Sequence, residues 1–273
     1  MSEKFSVLLS IYIKEKPEYA RACFESLLCQ TIKADEWVIV EDGPLTDELY
    51  ALLDEYESKY PNLLNRVPLR ENRGLGLALN EGVLHCKNEL IARMDTDDIA
   101  VADRFEKQLE MFERNPQLDI CGSHIKEFST TPETITSIRK VPITDKEIKA
   151  YQKRRDSFNH MTVMYKKSAV LNAGNYQHAP LMEDTLLWVN MILSGAYCAN
   201  IDDYLVFART GENMFKRRGG YSYLKKYKSG RKIIYQTGYI SFWDYFVTLA
   251  VQFVVALIPN WARKFIFEKL LRS

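Results

Sequence analysis

Short, wholly apolar runs alternate with segments of helical period through the first half of the chain. Phe5–Ile11 (FSVLLSI), residues 37–40 and residues 89–94 (ELIARM) read as buried strands, with a shorter one near 66–69. Behind Pro17, whose ring suits the first position of a helix, Ala20, Cys23, Phe24, Leu27 and Leu28 recur at the spacing of one buried helical face. Helical patterns also cover roughly 47–60, 75–84 and 102–114. Continuous apolar strands separated by helices predict a parallel sheet covered on both faces. In open sheets of that kind, ligands bind beyond the carboxyl ends of the strands.

The second half is more mixed. Residues 119–127 and 135–141 predict strands joined by a turn at Thr131 and Pro132, and the polar stretch 146–155 a surface helix or loop. A short strand is expected at 162–165, a short helix at 168–172 ended by Gly174, a helix over Glu183–Leu193 and extended chain over 197–207. Residues 242–258 are almost wholly apolar, interrupted by Asp244, Thr248 and Gln252. As a helix this run reaches about 25 Å, short of the ~30 Å hydrocarbon core of a bilayer. Pro259 breaks it. Beyond, Ala262, Ile266 and Leu270 share one helical face opposite Lys264, Glu268 and Arg272, the pattern of a helix lying in a membrane interface.

Composition sharpens this picture. The 273 residues are 47% hydrophobic and 27% charged, which excludes a disordered chain, a collagen-like repeat and a small disulfide scaffold. A net charge of +1 gives no reason to bind nucleic acid. The balance is uneven, however: residues 1–212 carry a net −9 and residues 213–273 a net +10. The chain therefore divides into an acidic body, 1–212, and a basic tail, 213–273, whose cations at 216–232 precede the apolar run and favour an anionic membrane surface. A solvated tail is the plainer alternative. The five cysteines have no zinc-ligand spacing, and Met1–Ser10 lacks the pattern of a signal peptide, so the expected setting is a reducing cytoplasm.

Two acidic clusters follow predicted strands and should share one rim of the sheet. Glu41, Asp42 and Gly43 follow Val40; Asp95, Asp97 and Asp98 follow Met94. Taken singly these are turn residues, and Asp98 or Asp103 could cap a helix. Three aspartates in four residues repel one another unless a hard divalent cation joins them, and their oxygens suit magnesium or manganese.

Six segments in order, FSVLLSIYIKE, VIVEDGP, ENRGLGLALNEG, ARMDTDDIAVADRFEKQ, FNHMTVMYKKSAVLNAGNY and MEDTLLW, resemble glycosyltransferase family two, and within it the amylovoran-type exopolysaccharide enzymes. The resemblance covers roughly residues 5–218. It implies an inverting enzyme of GT-A fold: an α/β protein with a mostly parallel nucleotide-binding sheet flanked by helices, here with a membrane-associating helical extension at the carboxy terminus. It places Ser10 and Tyr12 at the nucleotide base and ribose, Asp42 at the uracil edge and Arg73 in a donor-binding loop. Asp95 and Asp97 form the D-x-D, one of them, usually the second, binding Mn2+ or Mg2+ on the diphosphate and the other supporting the ribose, with Asp98 orienting them. Asp184 matches the catalytic base, with Glu183 the fallback, and His160 lies near the sugar sites. Alone, each has a plainer reading: Asp184 as a helix cap, His160 as a buried histidine, Tyr12 as core. One feature departs from the pattern. Relatives carry a histidine two residues after an arginine near the end of the domain, whereas Arg209 is followed by Thr210 and Gly211. Arg217 and Arg218 could supply the missing positive charge to the leaving diphosphate, or face a membrane.

The expected activity is transfer of a sugar from a nucleotide donor, uridine-linked, to a lipid-linked saccharide in surface or capsular polysaccharide synthesis, by a protein attached peripherally to the cytoplasmic face of the membrane. Two alternatives stand. A nucleotidyltransferase of similar fold would carry a glycine-rich basic loop after the first strand, where residues 12–17 read YIKEKP. A non-catalytic membrane adaptor would have kept the fold without its chemistry.

Overall fold

The structure is a computed structural model and describes residues 3–211 and 220–258. The apolar runs pair as their pattern requires. β1 (Phe5–Ile11) lies between β2 (Glu36–Glu41) and β4 (Leu90–Arg93), with β3 (Leu64–Pro68) outside β2, all four parallel. The intervening helices are α1 (Pro17–Leu28), α2 (Asp47–Lys59) and α3 (Leu75–His85). Both faces of β1 are covered. Val7, Leu9 and Ile11 pack into one core with Phe24 of α1 and Leu49 of α2, and Leu8 into a second with Leu79 and Val83 of α3. Gly82 allows α3 to come this close, since a Cβ there would lie 2.4 Å from Leu8 Cδ1.

The sheet continues beyond β4 with mixed direction. After β5 (Ile99–Ala100) and α4 (Arg104–Arg114) come β6 (Leu118–Phe128), β7 (Ile135–Arg139), α5 (Asp145–Tyr151), β8 (Met164–Lys166), α6 (Lys167–Asn172), α7 (Glu183–Leu193) and β9 (Tyr197–Arg209). The strand order is β3-β2-β1-β4-β8-β6-β9-β5, with β7 also on β6. β6 pairs in parallel with β9, while β8, β5 and β7 run against their neighbours. The result is an α/β fold with a mixed, mostly parallel sheet.

Within the described part of the basic tail, α8 (Gly220–Gln236) is a helix of 17 residues, followed by α9 (Phe242–Leu257). α8 packs on the loop before α7, where Ile234 joins Ala179, Met182, Leu186 and Val189 in a small core. A Cβ on Gly230 would lie 2.4 Å from the Pro180 carbonyl oxygen. α9 is turned inside out. Its polar interruptions Asp244 and Thr248 are buried against the body, whereas Phe242, Trp243, Phe246, Val251, Phe253 and Val254 are exposed. Asp244 pairs with Arg154 at 2.6 Å, and Arg231 of α8 donates to Thr248 Oγ1 at 3.0 Å and to the Lys153 carbonyl. No described helix is long and apolar enough to cross a membrane. Arg217, Arg218 and the amphipathic pattern beyond Pro259 lie outside the described residues.

Candidate active site

Because β1, β2 and β4 are parallel, their carboxyl ends open on one rim. A cleft of about 390 Å³ lies there, lined by Ser10, Tyr12 and Glu15 after β1, Asp42 after β2, Asn72, Gly74 and Leu75 at the start of α3, and Asp95, Thr96 and Asp97 after β4. Asp42 is buried, and its carboxylate accepts from the backbone N–H groups of Arg73 (2.7 Å) and Gly74 (3.1 Å). It therefore anchors the first turn of α3, where the helix dipole favours a negative charge. Gly43 beside it has φ +83°, and a Cβ there would lie 2.6 Å from the Asn72 nitrogen, so this turn takes only glycine comfortably. Arg73 contributes its backbone to the Asp42 contact; its side chain is exposed and is not among the residues lining the cleft.

After β4 the chain turns so that one oxygen from each of Asp95, Asp97 and Asp98 lies within 4.8 Å of the others. Arg93 pairs with Asp95. Asp98 Oδ1 accepts from the Arg209 N–H at 2.7 Å, whereas its Oδ2 is buried without a protein partner. Burial, then the charges of Asp95 and Glu15, push the Asp97 carboxyl up to about 7. Burial and the charges of Asp95 and Asp97 likewise raise Asp98. An all-oxygen set with an unpartnered carboxylate oxygen and mutually repelling charges fits a hard divalent cation.

Three further residues shape the site, none of which the sequence assigned a role there. Glu15 reaches the cleft from the loop after β1 and accepts from Thr96 Oγ1 at 2.9 Å, its carboxyl raised chiefly by burial. Arg209 closes the back of the acidic turn, donating from Nε to the Asp97 carbonyl at 3.0 Å with its guanidinium over Tyr19 (3.9 Å) and Phe128 (4.5 Å). Arg93 is 1% exposed, and its Nε and Nη1 have no partner. The local sequence marks only Arg209, as the arginine of a motif lacking its histidine.

The expected base lies at the start of α7. Asp184 is the second residue of α7, whose N-cap is Met182, so Asp184 is not the cap that local pattern suggested. Its Oδ1 accepts from the Thr185 N–H at 2.8 Å, and the Thr185 hydroxyl donates to Asp156. Burial, then the Asp156 charge, push Asp184 up to about 7. Asp184, Glu183 and His160 are not among the residues lining the cleft. Burial chiefly pushes the nearby Tyr176 hydroxyl up, with lesser influences from Arg93, Asp184 and Asp95. Glu183 packs against α3, where a Cβ on Gly76 would lie 2.6 Å from its Cγ. His160 Nε2 lies 2.8 Å from the Tyr176 hydroxyl, with the ring against Tyr176 and Trp188, and burial lowers its pKa so that it is neutral.

Residues 6–171 of the chain match the family described as Glycosyl transferase family 2. The chain belongs to this family. Among its relatives, amylovoran biosynthesis glycosyltransferase AmsE of Erwinia amylovora is 37% identical, covering 97% of this chain and 98% of that protein. The UDP-Gal:alpha-D-GlcNAc-diphosphoundecaprenol beta-1,3-galactosyltransferase of Escherichia coli is 35% identical, over 98% and 97%. In fold, the chain is similar to the mannosyltransferase PcManGT of Pyrobaculum calidifontis, solved in complex with GDP-Man and Mn2+. That match has TM-score 0.67 and 14% identity, covering 97% of this chain and 73% of that one. The resemblance carried by the six segments is thus borne out: this family 2 chain is a glycosyltransferase, with the α/β fold expected of it.

Proposed function

We propose that the protein transfers a hexose from a uridine diphosphate sugar to a lipid-linked saccharide during assembly of a surface polysaccharide, with inversion at the anomeric carbon. The carrying observation is that Asp42, Asp95 and Asp97, from separate stretches of chain, meet in one cleft, and that Glu183, next to Asp184, packs against Gly76 beside the cleft-lining Leu75. In this reading Ser10 and Tyr12 receive the base and ribose, and Asp42 and the α3 loop with Arg73 close over the nucleotide. Asp97 and Asp95 hold Mn2+ or Mg2+, which supplies positive charge to the leaving diphosphate. Asp98, bonded to the end of β9, fixes the acidic turn. Asp184, with a proton affinity near neutrality, takes the proton of the attacking hydroxyl. Glu183 stands beside it, and neutral His160 supports Tyr176. Single displacement needs no protein nucleophile.

Residues 1–212 form the catalytic body in this proposal, and the carboxy-terminal helices rest on the inner face of the membrane through the outward side of α9. The full-length relatives AmsE and the diphosphoundecaprenol galactosyltransferase support the polysaccharide setting and the lipid-linked acceptor. A screen of nucleotide sugars, reading released nucleoside diphosphate with Mn2+ and then with chelator, tests the reading. Chelator-sensitive UDP release is expected. Release of inorganic diphosphate would instead indicate a nucleotidyltransferase, and failure to bind UDP or hydrolyse any donor would refute the proposal.

A further inference from the structure

The base and the carboxy-terminal helices are joined through one short loop after α5. Gln152, fully buried, closes this loop on itself: its Oε1 accepts from the Ser157 N–H at 2.8 Å and from the Ser157 hydroxyl at 2.6 Å. The Tyr151 carbonyl accepts from the N–H groups of Arg154 (3.1 Å) and Arg155 (3.0 Å). On this pinned turn the side chains of Lys153, Arg154 and Arg155 are exposed, with Arg155 over the Tyr151 ring at 5.5 Å. Next along the chain is Asp156, bonded to Thr185 and acting on Asp184. On its other side the loop is tied to α9 by the Arg154–Asp244 pair and to α8 by the Lys153 carbonyl.

Contacts through this turn therefore join three chemistries: α9 with its outward aromatic face, a cationic turn whose Arg154 is paired with Asp244, and the base. A saccharide carried on a lipid diphosphate has the same order: hydrocarbon, dianion, sugar hydroxyl. We infer that the Lys153–Arg154–Arg155 turn binds the diphosphate of a lipid-linked acceptor, with the outward side of α9 taking the adjoining hydrocarbon. This deepens the proposed glycosyl transfer and rests on it for the attacking sugar. Guanidinium and ammonium groups pair strongly with phosphate oxygens, and a pre-formed turn loses little freedom on binding. The rest of the body, acidic overall, repels a dianion, so a local group of cations beside the base is what the acceptor requires. Phe242 (57% exposed), Trp243 (67%) and Phe246 (53%) present an apolar surface on the outward side of α9, whose inward side carries Asp244 and its Arg154 partner.

The test uses the full-length chain and farnesyl diphosphate as the lipid diphosphate probe. Calorimetric titration is done with chelator, so that no cation in the acidic cleft can hold the diphosphate, and UDP is titrated separately with Mn2+. The wild type is expected to bind farnesyl diphosphate more tightly than farnesol. The Lys153→Ala/Arg155→Ala variant should lose about tenfold or more of that affinity, while its UDP affinity and thermal midpoint stay at wild-type values. Lys153→Arg/Arg155→Lys should restore binding. Phe246→Ser should weaken farnesyl diphosphate but leave inorganic diphosphate unchanged. Absence of farnesyl diphosphate binding, or equal affinity in the double alanine variant, overturns the inference. So does a variant that keeps farnesyl diphosphate but loses phosphatidylglycerol vesicles, because the turn would then be a general membrane patch. Failure of the wild type to bind UDP with Mn2+ would strike the nucleotide-sugar reading instead and would leave the lipid diphosphate titration to be judged separately.

Discussion

Asp184 illustrates how position rather than residue type sets acid–base behaviour. An exposed aspartate is ionised throughout the neutral range, whereas burial and the nearby Asp156 hold this one near 7. A base acts only when ionised, so kcat/KM should climb as pH rises through about 7 and level off above it. A UDP-release assay from roughly pH 5 to 9 measures this. Asp184→Asn should lower kcat by about 10²–10⁴-fold while UDP affinity holds. Asp97 makes the complementary case for stability. Its carboxyl is ionised more reluctantly in the folded protein than in the unfolded chain, so its contribution to stability falls as pH rises from the unfolded value of 3.8 through about 7. In metal-free protein, Asp97→Asn should therefore melt higher than wild type at alkaline pH, by about 2–4 °C for each kcal/mol relieved, and equal it in acid. The aspartates themselves were legible because they crowd after apolar strands. Glu15 was not. Its partner Thr96 is 81 positions away, and nothing local distinguishes it from any solvated glutamate in a loop.

Among the elements, α3 shows most clearly how the site is held. Its start is fixed by two N–H groups on Asp42, and its first turn meets Glu183 at Gly76. Asp42→Ala should cost about 1–3 kcal/mol of folding stability, read by urea denaturation, and should raise the donor KM because the loop over the nucleotide loses its anchor. Strands β1, β2 and β4 were readable because burial on both faces leaves an unbroken apolar run. β5 has two residues, too few for any period, and exists because β9 offers it partners. α8 was missed for another reason. Its buried positions are Gly230, Arg231 and Ile234, so it has hardly an apolar stripe to see among its lysines. A glycine and an arginine become interior residues only once the Pro180 carbonyl, Thr248 and the Lys153 carbonyl are in place around them.

In the whole molecule, the acidic body and the basic tail are less separable than their charge suggests. Ile234 shares a core with Met182, Leu186 and Val189, directly below the base, and Asp244 neutralises Arg154. A chain ending at residue 212 would expose that core and leave the α7 amino end unsupported. It should melt well below the full chain, or aggregate, and lose transfer even where UDP binding persists; thermal scans and UDP titration of the two proteins compare directly.

Arg93 adds a last consequence. Buried and paired with Asp95, this guanidinium also favours the charged form of Asp184, though less strongly than burial and Asp156 oppose it. Neutralising either acid leaves the same cation to the other, so the two sites keep one shared ledger of charge. In a double-mutant cycle of Asp95→Asn and Asp184→Asn on melting free energy, the combined change should differ from the sum of the singles by at least about 0.5 kcal/mol, whereas independent sites would add.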